Sequence, residues 1–348
     1  MKKIVLVFIL LFSLVTISAQ DEDVLLTLAL DSVFSKTKKN EPGGYVFIQK
    51  GNQALYSRSF GLSNLKTKEK FTENTVSNIS SVTKTFIAYS ILILQKQGKL
   101  LLDDSLLKYF PNIKNKAAAG KIRIKHLLSH TSGLPVLVTK TSDTIIFIDK
   151  PDFEPGSNYR YSGVDYTILC LIIEILSGEK WQTFVQKNIL EPNGMINTKF
   201  VSENSKEKQD TRGYKKASGK YVEYDQLSCN ERYALCNSIW TSPGNLRKYV
   251  YAIKECVFLD CEIANSATQV YKPDNWRSLR APTHGFSWTI HEEKNKDSFV
   301  ECSATVSGLA TQVILYPKQD ILIIWMSNND VSYSRLVLQK LKQRHYVK

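Results

Sequence analysis

Beyond its first twenty residues the chain has no apolar run long enough to cross a bilayer, no internal repeat and no low-complexity tract. Its six cysteines, Cys170, Cys229, Cys236, Cys256, Cys261 and Cys302, show no metal-ligand spacing with histidines nearby. No metal site is expected, and no motif calls for a cofactor. The formal net charge is +13, but the basic residues are scattered and no nucleic-acid module accompanies them. A soluble basic surface is therefore preferred to a nucleic-acid partner. No cysteine stands just after the first apolar stretch, which excludes an acylated lipoprotein start.

What is present begins with Met1-Lys2-Lys3, an apolar segment from Ile4 to Val15, and Ile17-Ser18-Ala19-Gln20-Asp21. A basic start, an apolar middle and small residues at the end are the order of a signal peptide cut after Ala19. A membrane anchor is the alternative, but the apolar core is shorter than the roughly 20 residues a spanning helix needs. The expectation is an exported protein, periplasmic or extracellular, with residues 1–19 removed and residues 22–348 forming the folded part. About 330 residues is ample for a large core. In an exported protein the close pairs Cys229/Cys236 and Cys256/Cys261 are candidate local disulfides. Cys170 lies in an apolar helical pattern and reads as a buried thiol.

The two ends of the chain are sheet-rich and the middle is not. Val24 to Lys38 has the pattern of an amphipathic helix, and Tyr45–Gln49 and Ala54–Arg58 flank the turn Lys50-Gly51-Asn52-Gln53. Near the other end, Thr311–Tyr316 and Ile321–Met326 flank Pro317-Lys318-Gln319-Asp320, and Val331 to Tyr346 has helical periodicity. Residues from about 85 to 275 are mostly helical and loop-like, with Lys206 to Lys220 polar enough for a surface loop. The expected fold is α+β: an antiparallel sheet built from both chain ends, flanked by terminal helices, with a mostly helical insertion. A cleft between the two parts is the natural place for a site.

Ser81-Val82-Thr83-Lys84 stands where a polar, strand-like segment gives way to an apolar run, Val82 to Leu94, that is buried on all sides if helical. The run stops at Gln97-Gly98-Lys99, a glycine stop. A serine at the first turn sits near the positive helix end, and a lysine at i+3 shares its face. A partly desolvated lysine there is able to accept the serine proton and activate the nucleophile. Ser-x-x-Lys also begins at Ser35, Ser63, Ser105 and Ser205. Of these candidates Ser81 is distinguished by a lysine that leads into an apolar central helix.

Several further segments occur in an order that resembles the serine β-lactamase and penicillin-binding-protein superfamily, class C β-lactamase-like branch, which includes D-Ala-D-Ala peptidases and esterases. They are Gly51 to Gly61, Thr75 to Ala88, Gly98 to Asp104 with Tyr109-Phe110-Pro111, and the specific run Ile124-Lys125-His126-Leu127-Leu128-Ser129-His130-Thr131-Ser132-Gly133-Leu134-Pro135. Pro155-Gly156 with Tyr161-Ser162-Gly163, Pro192-Asn193-Gly194-Met195, Thr241-Ser242-Pro243 and Gly285-Phe286-Ser287-Trp288 continue it. The resemblance implies a β-lactamase/transpeptidase-like fold, with Ser81 the acylated nucleophile, Lys84 its proton partner and Tyr161 a second proton-handling group. On its own, Tyr161 reads as a core aromatic.

The same resemblance exposes two departures. Gly163 stands where the branch has an asparagine whose amide holds the lysine and the substrate. Cys302-Ser303-Ala304-Thr305 stands where an edge strand has Lys-Thr-Gly or His-x-Gly. The Thr305 and Ser81 amides remain available as an oxyanion hole, but a substrate carboxylate loses its usual cation, which weighs against efficient β-lactam hydrolysis. A Ser-His-Asp arrangement using His130 or His126, or Cys302 as a nucleophile, is the competing chemistry. His284 is a further candidate for the wall of the cleft. Two functions follow. One is an exported serine hydrolase that acts through an acyl-enzyme on a small-molecule or peptide substrate. The other is a non-catalytic relative that binds a cell-wall fragment or a protein.

Overall fold

The structure is a computed structural model that describes residues 22–35, 37–113, 115–134, 139–141, 144–146, 151–201, 211–224, 239–292, 296–329 and 334–348. The expected signal peptide and the Cys229/Cys236 pair lie outside the described residues.

Six strands form the main sheet: β1 (Gly44–Lys50), β2 (Gln53–Phe60), β3 (Thr289–His291), β4 (Phe299–Val306), β5 (Leu309–Tyr316) and β6 (Ile321–Ser327). Their order is β3-β4-β5-β6-β1-β2, every pair antiparallel. The first and last strands of the chain meet at β1–β6, where Gly44 to Lys50 pair in register with Ser327 to Ile321. Both expected hairpins are present. The β4–β5 turn places Ser307 and Gly308 at φ of 46° and 76°, the left-handed pair that a two-residue hairpin requires.

Alternation along the strands divides the core in two. On one face, Val46, Ile48, Ile314, Ile323 and Trp325 pack against Leu26, Leu30 and Phe34 of the first helix (residues 22–34, α1). Val337 and Leu341 of the last helix (Ser334–Gln343) complete that layer. On the other face, Tyr45, Phe47, Val300, Cys302, Val313, Ile324 and Met326 join the larger cluster formed with the central helices.

Those helices include α2 (Thr83–Lys96), α3 (Gly163–Ser177) and α4 (Pro243–Lys254), with α2 in contact with α3. Every residue of α2 from Thr83 to Leu94 is buried, as its all-round apolar pattern requires. The helix ends at Gly98 (φ 70°), where the Lys99 N–H donates to Leu94 O at 3.0 Å. Cys256 and Cys261 are disulfide-bonded, and Cys170 is buried, as expected.

The stretch Lys206 to Lys220 is not wholly a loop. Tyr214–Ala217 pairs with Lys220–Glu223 across Ser218 and Gly219, both at positive φ. This hairpin is exposed along most of its length, so it carries no apolar alternation from which a strand is read. Residues 202–210 lie outside the described part.

Candidate active site

A small second sheet sets the entry to α2. Ser77–Asn78 pairs with Ile239–Thr241, which also pairs with Lys199–Phe200, and the Ile79 N–H donates to Ile239 O at 3.2 Å. The chain then bends sharply. Ser80 is held at φ 45° and its N–H donates to Asn78 Oδ1 at 2.6 Å. A 3-10 turn over Ser80–Val82 runs into α2, so Ser81 sits one turn ahead of the helix proper.

Two groups converge on its hydroxyl. Lys84 Nζ lies 3.1 Å and the Tyr161 hydroxyl 2.7 Å from Ser81 Oγ. Lys84 is only 3% exposed. It has no carboxylate partner among the described residues, and its Nζ stands 5.1 and 5.9 Å from the ring centres of Tyr161 and Tyr166. Aromatic faces thus stabilise this buried cation. Tyr161 is half exposed, so the hydroxyl pair faces solvent on one side.

Tyr161 is positioned from both flanks. The Arg160 N–H donates to His130 O at 3.0 Å and the Ser162 N–H to His130 Nδ1 at 3.2 Å, while the His130 ring packs against Tyr161 at 4.6 Å. Ser162 also caps α3, its Oγ accepting from the Asp165 N–H. His130 is 3% exposed. Burial, with the charge of Lys84 second, holds its pKa well below the ordinary imidazole value. A neutral ring whose Nδ1 accepts a hydrogen bond carries its proton on Nε2.

These residues open on a cleft of about 290 Å³ lined by Ser81, Lys84, His130, Tyr159, Tyr161 and His284 on one side. Gly285, Ser287, Trp288 and Thr289, with Glu301 to Ser303, line the rest. Strand β3 pairs with β4 only as far as Glu301. On that side β4 runs on from Cys302 as an edge, packed against the serine turn.

The sequence profile of the family described as Beta-lactamase matches residues 30–346. The chain belongs to the beta-lactamase family. It is 26% identical over 331 residues to Protein flp of Staphylococcus aureus (strain MRSA252) and 24% identical over 328 residues to Penicillin-binding protein 4* of Bacillus subtilis (strain 168). Each match covers 87% of this chain, but the chain spans only 63% and 72% of those proteins. A solved structure described as a class C beta-lactamase superposes with a TM-score of 0.73 at 18% identity, over 92% of this chain and 96% of the other. At that identity the likeness is one of fold.

Within this member of the family, the residues singled out in the sequence separate into two groups. Ser81, Lys84 and Tyr161 come together, and Cys302 and Ser303 line the same cleft. Thr305 and Gly163 are not among its lining residues. Along β4 the side chains alternate: Cys302 turns into the core beneath the cleft, and Ser303 and Thr305 are exposed. Burial pushes the Cys302 thiol up to about 12, so it is protonated and a poor nucleophile. Gly163 opens α3 beneath the Ser162 cap. His130 lies 3.5 Å from Asp165, but the described partners of Ser81 Oγ are Lys84 and Tyr161, which does not favour a Ser-His-Asp relay. Tyr159, Ser287 and Trp288 line the cleft without having been singled out one by one. Their signal was adjacency to Tyr161 and to the Gly285-Phe286 segment.

Proposed function

We propose that the chain is a serine hydrolase that works through an acyl-enzyme on Ser81. The observation that carries this is the convergence of the Lys84 ammonium and the Tyr161 hydroxyl on one partly buried serine at the mouth of a cleft. Once the Lys84–Tyr161 pair has given up one proton, it accepts the Ser81 proton as Oγ bonds to the substrate carbonyl carbon. The bond to the leaving group breaks, and the leaving group takes that proton from the pair. Water then adds to the acyl carbon, passes a proton to the pair, and expels Ser81 Oγ, which recovers its hydrogen as the acid departs. The exposed edge of β4 from Cys302 supplies backbone groups to align an extended substrate beside Ser81.

The substrate is an ester or an amide, a peptidoglycan-like peptide included. A β-lactam is a poor one, because Cys302 offers a neutral thiol where a carboxylate needs a cation. The Cys256–Cys261 disulfide supports an exported, oxidising setting, as does the N-terminal signal pattern. A binding-only relative is the second reading, favoured by Cys302 and by the absence of a side-chain amide at Gly163.

Burst kinetics on an activated ester, followed by intact-mass analysis, separate the two. The expected result is a stoichiometric burst and an adduct on Ser81, absent in Ser81→Ala, with Tyr161→Phe slowed by about 100-fold or more. Equal turnover in wild type and Ser81→Ala removes the acyl-enzyme. No adduct from any activated acyl donor leaves the binding-only reading.

A further inference from the structure

The cleft at Ser81 shares a wall with a second cavity. Tyr159 and His284 stack face to face, ring centres 3.9 Å apart at 18°, and the pair lines both spaces. The second cavity holds about 310 Å³ and is bounded by Tyr271, Trp276 and Arg280. Burial holds His284 at a pKa of about 4 and raises the Tyr159 and Tyr271 hydroxyls above their ordinary values. Arg280 is then the one ionised side chain lining this space.

Neighbouring arginines are paired: Arg277 with Glu154 at 3.2 Å and Arg160 with Asp152. Arg280 has no carboxylate partner among the described residues. Its loop is closed by Trp276 Nε1, which donates to Arg280 O at 3.0 Å. In the Ser81 cleft the one lysine is engaged with Ser81, and Cys302 is neutral. A cation is thus absent from the strand beside the nucleophile and present beyond the ring pair.

Resting on the serine-hydrolase reading, we propose that the second cavity is the subsite for the far end of the substrate. It takes a flat group that ends in a carboxylate: the group lies against Tyr271 and Trp276, and the carboxylate pairs with Arg280.

The test uses the full chain and matched 4-nitrophenyl esters. One pair differs by a carboxylate or its methyl ester on an aromatic acyl group, the other by a carboxylate or hydrogen on the leaving phenol. In one pair the anionic member is expected to show a KM about tenfold lower. The preference should weaken with salt, vanish in Arg280→Ala and partly return in Arg280→Lys, with the neutral esters unchanged. Equilibrium binding of phenylpropionate against its carboxamide, read by tryptophan fluorescence, gives the same comparison without turnover. A carboxylate preference that is absent, or that survives Arg280→Ala, overturns the subsite. Turnover that depends on Ser81 but shows no such preference sinks the subsite alone, and turnover that persists in Ser81→Ala sinks the serine reading.

Discussion

Three histidines, His126 and His130 buried and His284 partly so, carry a pH dependence that belongs to single residues. Burial lowers His126 and His284 to about 4 and His130 well below 6.5. An imidazole whose folded pKa lies below its unfolded one takes up a proton on unfolding. The stability these groups contribute is complete above about pH 6.5. It falls as the pH drops below that value and goes on falling until the folded imidazoles themselves titrate, near 4 for His126 and His284. Thermal unfolding between pH 7.5 and 4.5 should show Tm falling with acid. In His126→Asn the new side-chain oxygen replaces Nδ1 as acceptor for the Arg123 N–H, and there is nothing to protonate, so the fall should be shallower. An unchanged slope would remove His126 from the account. At this scale Ser81 and Lys84 were legible because they lie within one turn of each other. Tyr159 and His284 are 125 positions apart, and nothing local says that their rings stack.

Elements are held by contacts that strand patterns do not show. Asn328 follows β6, is fully buried, and accepts the Gly43 N–H at 2.7 Å through Oδ1. Its Nδ2 faces the carbonyls of Leu62, Ser63 and Arg212 at 3.0, 2.9 and 3.0 Å. One side chain thus ties the loop after β2, the residue before β1 and the segment leading into the 214–223 hairpin to the end of β6. Asn328→Ala leaves several of these buried groups with fewer partners, at a cost of about 3 kcal/mol, to be read as a lowered midpoint of denaturant unfolding. A loss below about 1 kcal/mol would mean that water or rearrangement replaces the amide. The long strands were readable because one face is apolar over seven or eight residues. Segments of two or three residues, such as Ser77–Asn78 and Lys199–Phe200, have no period to read. Yet these short strands fix the approach to Ser81.

Across the whole molecule, the sheet separates stability from chemistry. The helices at residues 22–34 and 334–343 pack on the face away from Ser81, where Leu341 and Leu30 share one apolar layer. The nucleophile is backed by the other layer, in which Phe86 of α2 stacks on Tyr249 of α4 with ring centres 3.7 Å apart. Leu341→Ala and Phe86→Ala each empty a fully buried site and should each cost about 2–5 kcal/mol. Their effects on activity should differ. A cavity behind β6 leaves the serine turn in place, so the folded fraction of Leu341→Ala should keep its kcat/KM. A cavity under the first turn of α2 frees Ser81 and Lys84 to shift, and a misplacement of about 1 Å is enough to lower the rate by about 100-fold. Active-site titration by the acyl-enzyme burst, normalised to the folded fraction at each temperature, separates the two outcomes. If Leu341→Ala loses rate in proportion to Phe86→Ala, the layers are coupled through the sheet, and the site depends on the packing of the chain ends as much as on its own helix.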